Sequence, residues 1–216
     1  MASSSSSWEV GTERVFVEIG YRELRRRERR RRARVRIERK EGKMTTEQYL
    51  ATPETLLPAE LAYGELRIAE APAVRHQRLL GRLYLAMVPF VQERHLGEVL
   101  LAPTDVILDY ERSLVVQPDL VFVSREREHI VLDNVHGAPD LAVEILSPHA
   151  RVGDLNERVG WFAKYGVREC WVANIPKRQY AVLTLAKTGV VERRLCEGGE
   201  AAPSDVLPGF VTPAFG

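Results

Sequence analysis

Leu141-Ala142-Val143-Glu144-Ile145-Leu146 is a short run that is apolar on both of its alternating faces except at Glu144. A strand buried on both sides belongs in the middle of a sheet covered on both faces. A carboxylate placed there without a partner costs several kcal/mol. Glu144 therefore calls for a cation, a metal or a hydrogen-bond network, with a structural ion pair or a partly exposed strand end as the plainer alternative. The preceding strand, Leu114 to Val123, poses the same problem, because the two-residue period sets Asp119 on one face with Val121 and Val123. Pro118 withdraws one ladder donor just before Asp119 and interrupts the strand there. Two acids on adjacent strands can hold a hard divalent cation, since Mg²⁺ takes one or two carboxylates and completes its shell with water and phosphate oxygens.

The rest of the chain arranges itself around this pair. Thr45 or Thr46 caps a short helix running through Leu50, and Leu61 to Ile68 reads as two short strands pivoting at Gly64. Leu79, Leu83, Met87 and Val91 recur at helical period in a helix from Val74 to about His95, bent by Pro89. Val99 to Leu108 and Leu114 to Val123 read as two strands joined by a turn at Asp109 to Ser113, and a polar connection follows to Pro139. Beyond Leu146, Asp154 with Glu157 forms a capping box that opens a helix ending near Gly166. Glu169 to Ala173 is a further strand, and Tyr180 to Leu195 a hairpin around Lys187-Thr188-Gly189. This order predicts an α/β (α+β) fold, a mixed central sheet flanked by helices.

Composition excludes several classes. The 216 residues are 45% apolar and 28% charged, enough for a packed core. No apolar run approaches the roughly 18 residues of a membrane span, so no membrane partner is expected. Two cysteines, Cys170 and Cys196, are too few for a disulfide framework or a structural zinc site. The expectation is a reduced, cytoplasmic domain. Charge divides the chain: residues 1–43 hold 14 Lys/Arg against 7 Asp/Glu, and the remainder 17 against 23. The arginine-dense stretch from Arg22 to Arg39 has too few apolar residues for a packed face and is expected to be a disordered arm. It reads either as an electrostatic arm for nucleic acid or as a dispensable extension, since Met44-Thr45-Thr46-Glu47 resembles a fresh N-terminus. The domain is expected over residues 44–216.

A set of short motifs then carries a resemblance. Pro118-Asp119, Gly137 to Pro148, Asp154, and Gly166-Val167-Arg168-Glu169-Cys170-Trp171, preceded by Tyr63-Gly64-Glu65-Leu66 and Arg75-His76-Gln77, resemble the Uma-type restriction endonucleases of the PD-(D/E)XK nuclease superfamily. The resemblance runs from about Met44 to Phe210 and implies a restriction-endonuclease-like core and Mg²⁺- (or Mn²⁺-) dependent hydrolysis of phosphodiester bonds in nucleic acid, DNA in particular. It implies Asp119 and Glu144 as metal carboxylates, Glu65 as a third acid and His76 as a residue touching phosphate or the metal's water shell. Where the superfamily carries a lysine two residues after the second acid, this chain has Leu146. The matching cation falls on the next helix at Arg158, which keeps the charge but gives up no proton at neutral pH. Arg158 thus leaves two readings open: an active endonuclease, or a catalytically weakened module of the same fold that binds nucleic acid or a protein partner. The late hairpin leaves a sheet edge, and duplex cleavage calls for two sites, so a homodimer is expected, although Arg193 and Arg194 put charge on that edge.

Overall fold

The computed structural model describes residues 43–53, 58–68, 71–146 and 155–215. The basic arm up to Gly42 and the capping residue Asp154 lie outside them.

The first element of the described residues is α1 (Thr46–Leu50), capped reciprocally by Thr45 and Gln48. β1 (Ala59–Ala62) and β2 (Glu65–Ile68) follow as a hairpin. Its turn places Tyr63 and Gly64 at positive φ, 50° and 87°. A side chain on Gly64 would also meet the Cβ of Lys43, so this position needs glycine twice over. The long helix α2 (Val74–Glu93) buries His76, Leu79, Leu83, Met87 and Val91 along one face and contains Pro89.

Next come β3 (Gly97–Leu101), β4 (Val106–Asp109), β5 (Leu114–Val116) and β6 (Leu120–Ser124). Here the structure departs from the pattern of the sequence. The two long strands expected across this region are each broken in two, and the halves enter different sheets: β3 pairs with β6, while β4 pairs with β5. Pro103 and Pro118 explain the break. Neither can donate to a ladder, and they stand at the same level of the hairpin, so both strands lose their pairing together and cross over. The last bond before the crossing runs from Ala102 N–H to the Asp119 carbonyl, 3.1 Å.

A 3₁₀ turn over Arg125–Ile130 and the two-residue β7 (Val135–His136) lead to β8 (Leu141–Leu146), α3 (Leu155–Tyr165) and β9 (Glu169–Asn174). β10 (Gln179–Ala186) and β11 (Gly189–Glu197) close the chain's strands. The result is two mixed sheets rather than one. The larger has the order β11-β10-β9-β8-β6-β3, with β8 and β9 parallel; the smaller has β2-β1-β5-β4-β7.

The larger sheet is covered on both faces. Leu79, Leu83 and Met87 of α2 pack on Leu120, Phe122, Leu141, Val143 and Trp171. Val159 and Phe162 of α3, with Val106 and Val116 of the smaller sheet, pack on Val121, Val123 and Ala142 of the opposite face. Each such buried aliphatic or aromatic side chain contributes roughly 1.5–3 kcal/mol. Alternation along β8 therefore points Leu141, Val143 and Ile145 at α2, and turns Glu144 toward α3.

Candidate active site

Glu144 meets Arg158, which α3 presents from its first turn. Two guanidinium nitrogens of Arg158, Nε and Nη2, donate to Glu144 Oε1 at 3.0 and 2.6 Å. The third, Nη1, donates to both oxygens of Glu60 at 2.6 Å each. Arg158 and Glu60 are both 5% exposed, so this is a guanidinium held in the interior between two carboxylates. Arginine suits the position because its fixed planar fork engages two carboxylates at once. Burial opposes its charge, but Glu144 and Glu60 outweigh burial and raise its pKa.

Glu60 comes from β1 in the smaller sheet and Glu144 from β8 in the larger. The site therefore sits where the two sheets part, at the level of the two prolines. That break also frees the Gln117 N–H from any ladder, and it donates to Glu60 Oε1 at 2.7 Å. The Gln117 amide, Asp105 and the Tyr49 hydroxyl extend the network toward α1.

Asp119 lies at the same crossing, directly before β6. Leu120 pairs with Val143, so the antiparallel register brings Asp119 opposite Glu144. Its Oδ2 accepts from the Ile145 N–H at 2.7 Å, and its Oδ1 lies 3.1 Å from Nε2 of His76. His76 is in the first turn of α2 and buried; its Nδ1 is buried with no hydrogen-bond partner among the described residues. The first turns of α2 and α3 thus each deliver one side chain to the acid pair, and both helices direct the positive ends of their dipoles at it.

The electrostatic result is an excess of negative charge. Burial pushes the Glu144 carboxyl up to about 7; Arg158 pulls it down, but Asp119 and Glu60 add to the rise. One guanidinium does not balance three carboxylates. Both bonds from Arg158 to Glu144 fall on Oε1, and among the described residues Asp119 accepts a hydrogen bond at Oδ2 alone, so each acid has lone pairs to offer. Among the described residues no group of three or more His, Cys, Asp or Glu side chains is arranged to hold a metal ion. Two carboxylates nevertheless fit Mg²⁺, which fills most of its shell with water and substrate phosphate.

Of the residues singled out in the sequence, Asp119, Glu144, His76 and Arg158 converge. Glu65 is on β2 with its side chain 64% exposed, 3.8 Å from Arg67, which in turn binds Glu157 at 2.7 Å. No contact among the described residues joins Glu65 to Asp119 or Glu144. Glu60 and Gln117 were not singled out. Glu60 carries the same signal as Glu144, an acid flanked by apolar residues in Ala59-Glu60-Leu61-Ala62, but the short run hides it.

The fold is one shared with nucleases. A solved structure described as a putative nuclease belonging to DUF820, from Anabaena variabilis, superimposes with a TM-score of 0.65. The match covers 80% of this chain and 95% of that one at 16% identity, a likeness of fold. Residues 46–214 match the sequence profile of the Uma2 family, described as "Putative restriction endonuclease", and the chain belongs to that family. No curated protein matches it. The family's chemistry is hydrolysis of phosphodiester bonds and its substrate class nucleic acid. No helix among the described residues is long and apolar enough to cross a membrane.

Proposed function

We propose that this protein is a divalent-metal-dependent endonuclease acting on DNA, with Asp119 and Glu144 as its metal carboxylates. The observation that carries the reading is the acid pair itself: two carboxylates on adjacent strands, in a region whose negative charge exceeds its positive charge. Mg²⁺ or Mn²⁺ bound there supplies charge neutralisation at the phosphate and a water of lowered pKa.

The chain's own residues set the geometry. The Ile145 N–H and His76 fix both oxygens of Asp119, so that carboxylate is held before substrate arrives. Arg158 orients Glu144 through Oε1 and leaves its charge next to any phosphate drawn to the pair. Since arginine stays protonated, its role is to stabilise charge, and the proton of the attacking water passes to solvent or substrate. Glu60 holds the guanidinium from the far side. Glu65 assists from the exposed rim of the site.

A rival reading draws on the same guanidinium. All three of its nitrogens are engaged by Glu60 and Glu144, which suits a module that binds nucleic acid without cutting it. Incubating the protein with supercoiled plasmid separates the two. Nicking that requires Mg²⁺ or Mn²⁺ and disappears in Asp119→Asn supports the endonuclease. Cleavage equal in both proteins, or DNA binding without cleavage in either metal, overturns it. A companion measurement is the melting temperature, which a metal bound to the native state must raise.

We further propose a homodimer that presents two such sites to a duplex. β11 is an edge of the larger sheet and exposes Val191 and Leu195, with Arg193 between them. Sedimentation at micromolar concentration tests this, and a monomer mass of 24.5 kDa overturns it.

A further inference from the structure

The domain that follows the arm carries more acid than base, 17 Lys/Arg against 23 Asp/Glu, which leaves open where a polyanion would touch it. Helix α2 is an exception to that balance. It carries Arg75, Arg78 and Arg82 and, until Glu93 at its far end, no acid. At 100° per residue the three arginines fall on one strip of the helix, beside the buried face formed by His76, Leu79, Leu83 and Met87. All three are exposed, and among the described residues none has an acid within ion-pair distance. Arg82 reaches only a carbonyl, that of Ala214, at 3.2 Å.

The strip starts at the site. Arg75 precedes His76, whose ring touches Asp119, and the arginines then lead away along the helix, rising roughly 1.5 Å per residue over about 10 Å. The helix opens at Ala73 without a side-chain cap, so its first amides face outward with the same polarity. Three cations without an acid partner among the described residues, spread over that distance, match the charge of a few successive phosphates.

We infer that the Arg75–Arg78–Arg82 strip of α2 is the track for the DNA backbone next to the scissile phosphate. This rests on the reading of the protein as a DNA endonuclease and adds to it the surface that holds the substrate. The strip reads charge, not sequence, because phosphate contacts position a protein without specifying bases.

The test measures binding of the full-length Asp119→Asn protein to a short DNA duplex in Mg²⁺ over a range of salt. Each lost phosphate contact lowers the slope of log K against log salt by about 0.9. Adding Arg75→Gln and Arg78→Gln should lower it by about 2, and Arg75→Lys with Arg78→Lys should restore it. Lys177→Gln with Arg193→Gln, two exposed cations lining a cavity of about 300 Å³ between α3 and the hairpin, should leave it unchanged. An unchanged slope in the α2 variant, with DNA still bound, overturns the track alone, as does a loss confined to the Lys177/Arg193 variant. Failure of every form to bind DNA overturns the track and the DNA reading together. Both sets of positions are exposed, so matched melting temperatures will confirm that the variants fold.

Discussion

Glu144 and Glu169 are two glutamates on neighbouring parallel strands, the first half-buried and the second buried, and their surroundings could hardly differ more. Glu169 is 1% exposed and accepts from four neutral donors: Trp171 Nε1 at 3.0 Å, Ser204 Oγ at 2.6 Å, Asp205 N–H at 2.6 Å and Val206 N–H at 3.2 Å. Every one of these is built into the fold, and together they fasten the segment after β11 to the sheet. Glu144 instead faces one shared guanidinium and a second acid. A saturated carboxylate is a rivet, whereas an unsaturated one beside another acid keeps lone pairs to offer a cation. The donor inventory is what separates them.

Substitutions can break or sharpen this contrast. Glu144→Gln should reduce metal-dependent cleavage by at least about a hundredfold, the scale lost when electrostatic stabilisation of a transition state is removed. The same variant should melt no lower than the parent above pH 7; plasmid nicking and calorimetry check both halves. Arg158→Ala comes next, because it strands Glu60 and Glu144 together in the interior. Breaking a buried pair typically costs about 3–5 kcal/mol, readable by urea unfolding. Glu169→Gln should do the reverse of Glu144→Gln. An amide cannot accept from all four donors, so stability should fall by about 2–3 kcal/mol while the turnover of the folded fraction is kept.

Acidity gives a smaller effect of defined sign. The Glu144 carboxyl is raised to about 7 in the folded state from 4.5. A raised acid favours the fold while it is protonated, so this contribution is full below pH 4.5 and is lost as pH climbs through 7. The metal-free protein should therefore lose melting temperature across that window, and Glu144→Gln should flatten the loss. Smallest of all should be deletion of residues 1–43: a shift of a few degrees at most, with a shallower salt dependence of DNA binding.

Much of this was legible in the chain. The apolar run around Glu144, the helical period of Leu79, Leu83, Met87 and Val91, and the turn at Gly64 are local signals, and each element formed where its signal lay. Asp119 and Glu144 stood out because a carboxylate conflicts with an apolar strand. What stayed hidden was non-local. Pro118 announced an interruption, but only its juxtaposition with Pro103 turns two strands into four and one sheet into two. Glu60 became legible once that second sheet brought it to Arg158, and Glu65, which the motif set forward, faces solvent because it is on the outer strand of its hairpin.

The ion pair between Glu60 and Arg158 spans 98 residues of chain. Asp119, His76 and Glu144 fall inside that span, and β9, to which β8 pairs in parallel, comes after it. During synthesis on a ribosome Glu60 is therefore made 98 residues and Glu144 14 residues before the cation that gathers them, and no early fragment contains an assembled site. Contacts so distant in sequence form late in folding. A fold built this way completes its acid pair and guanidinium only when nearly the whole domain has emerged.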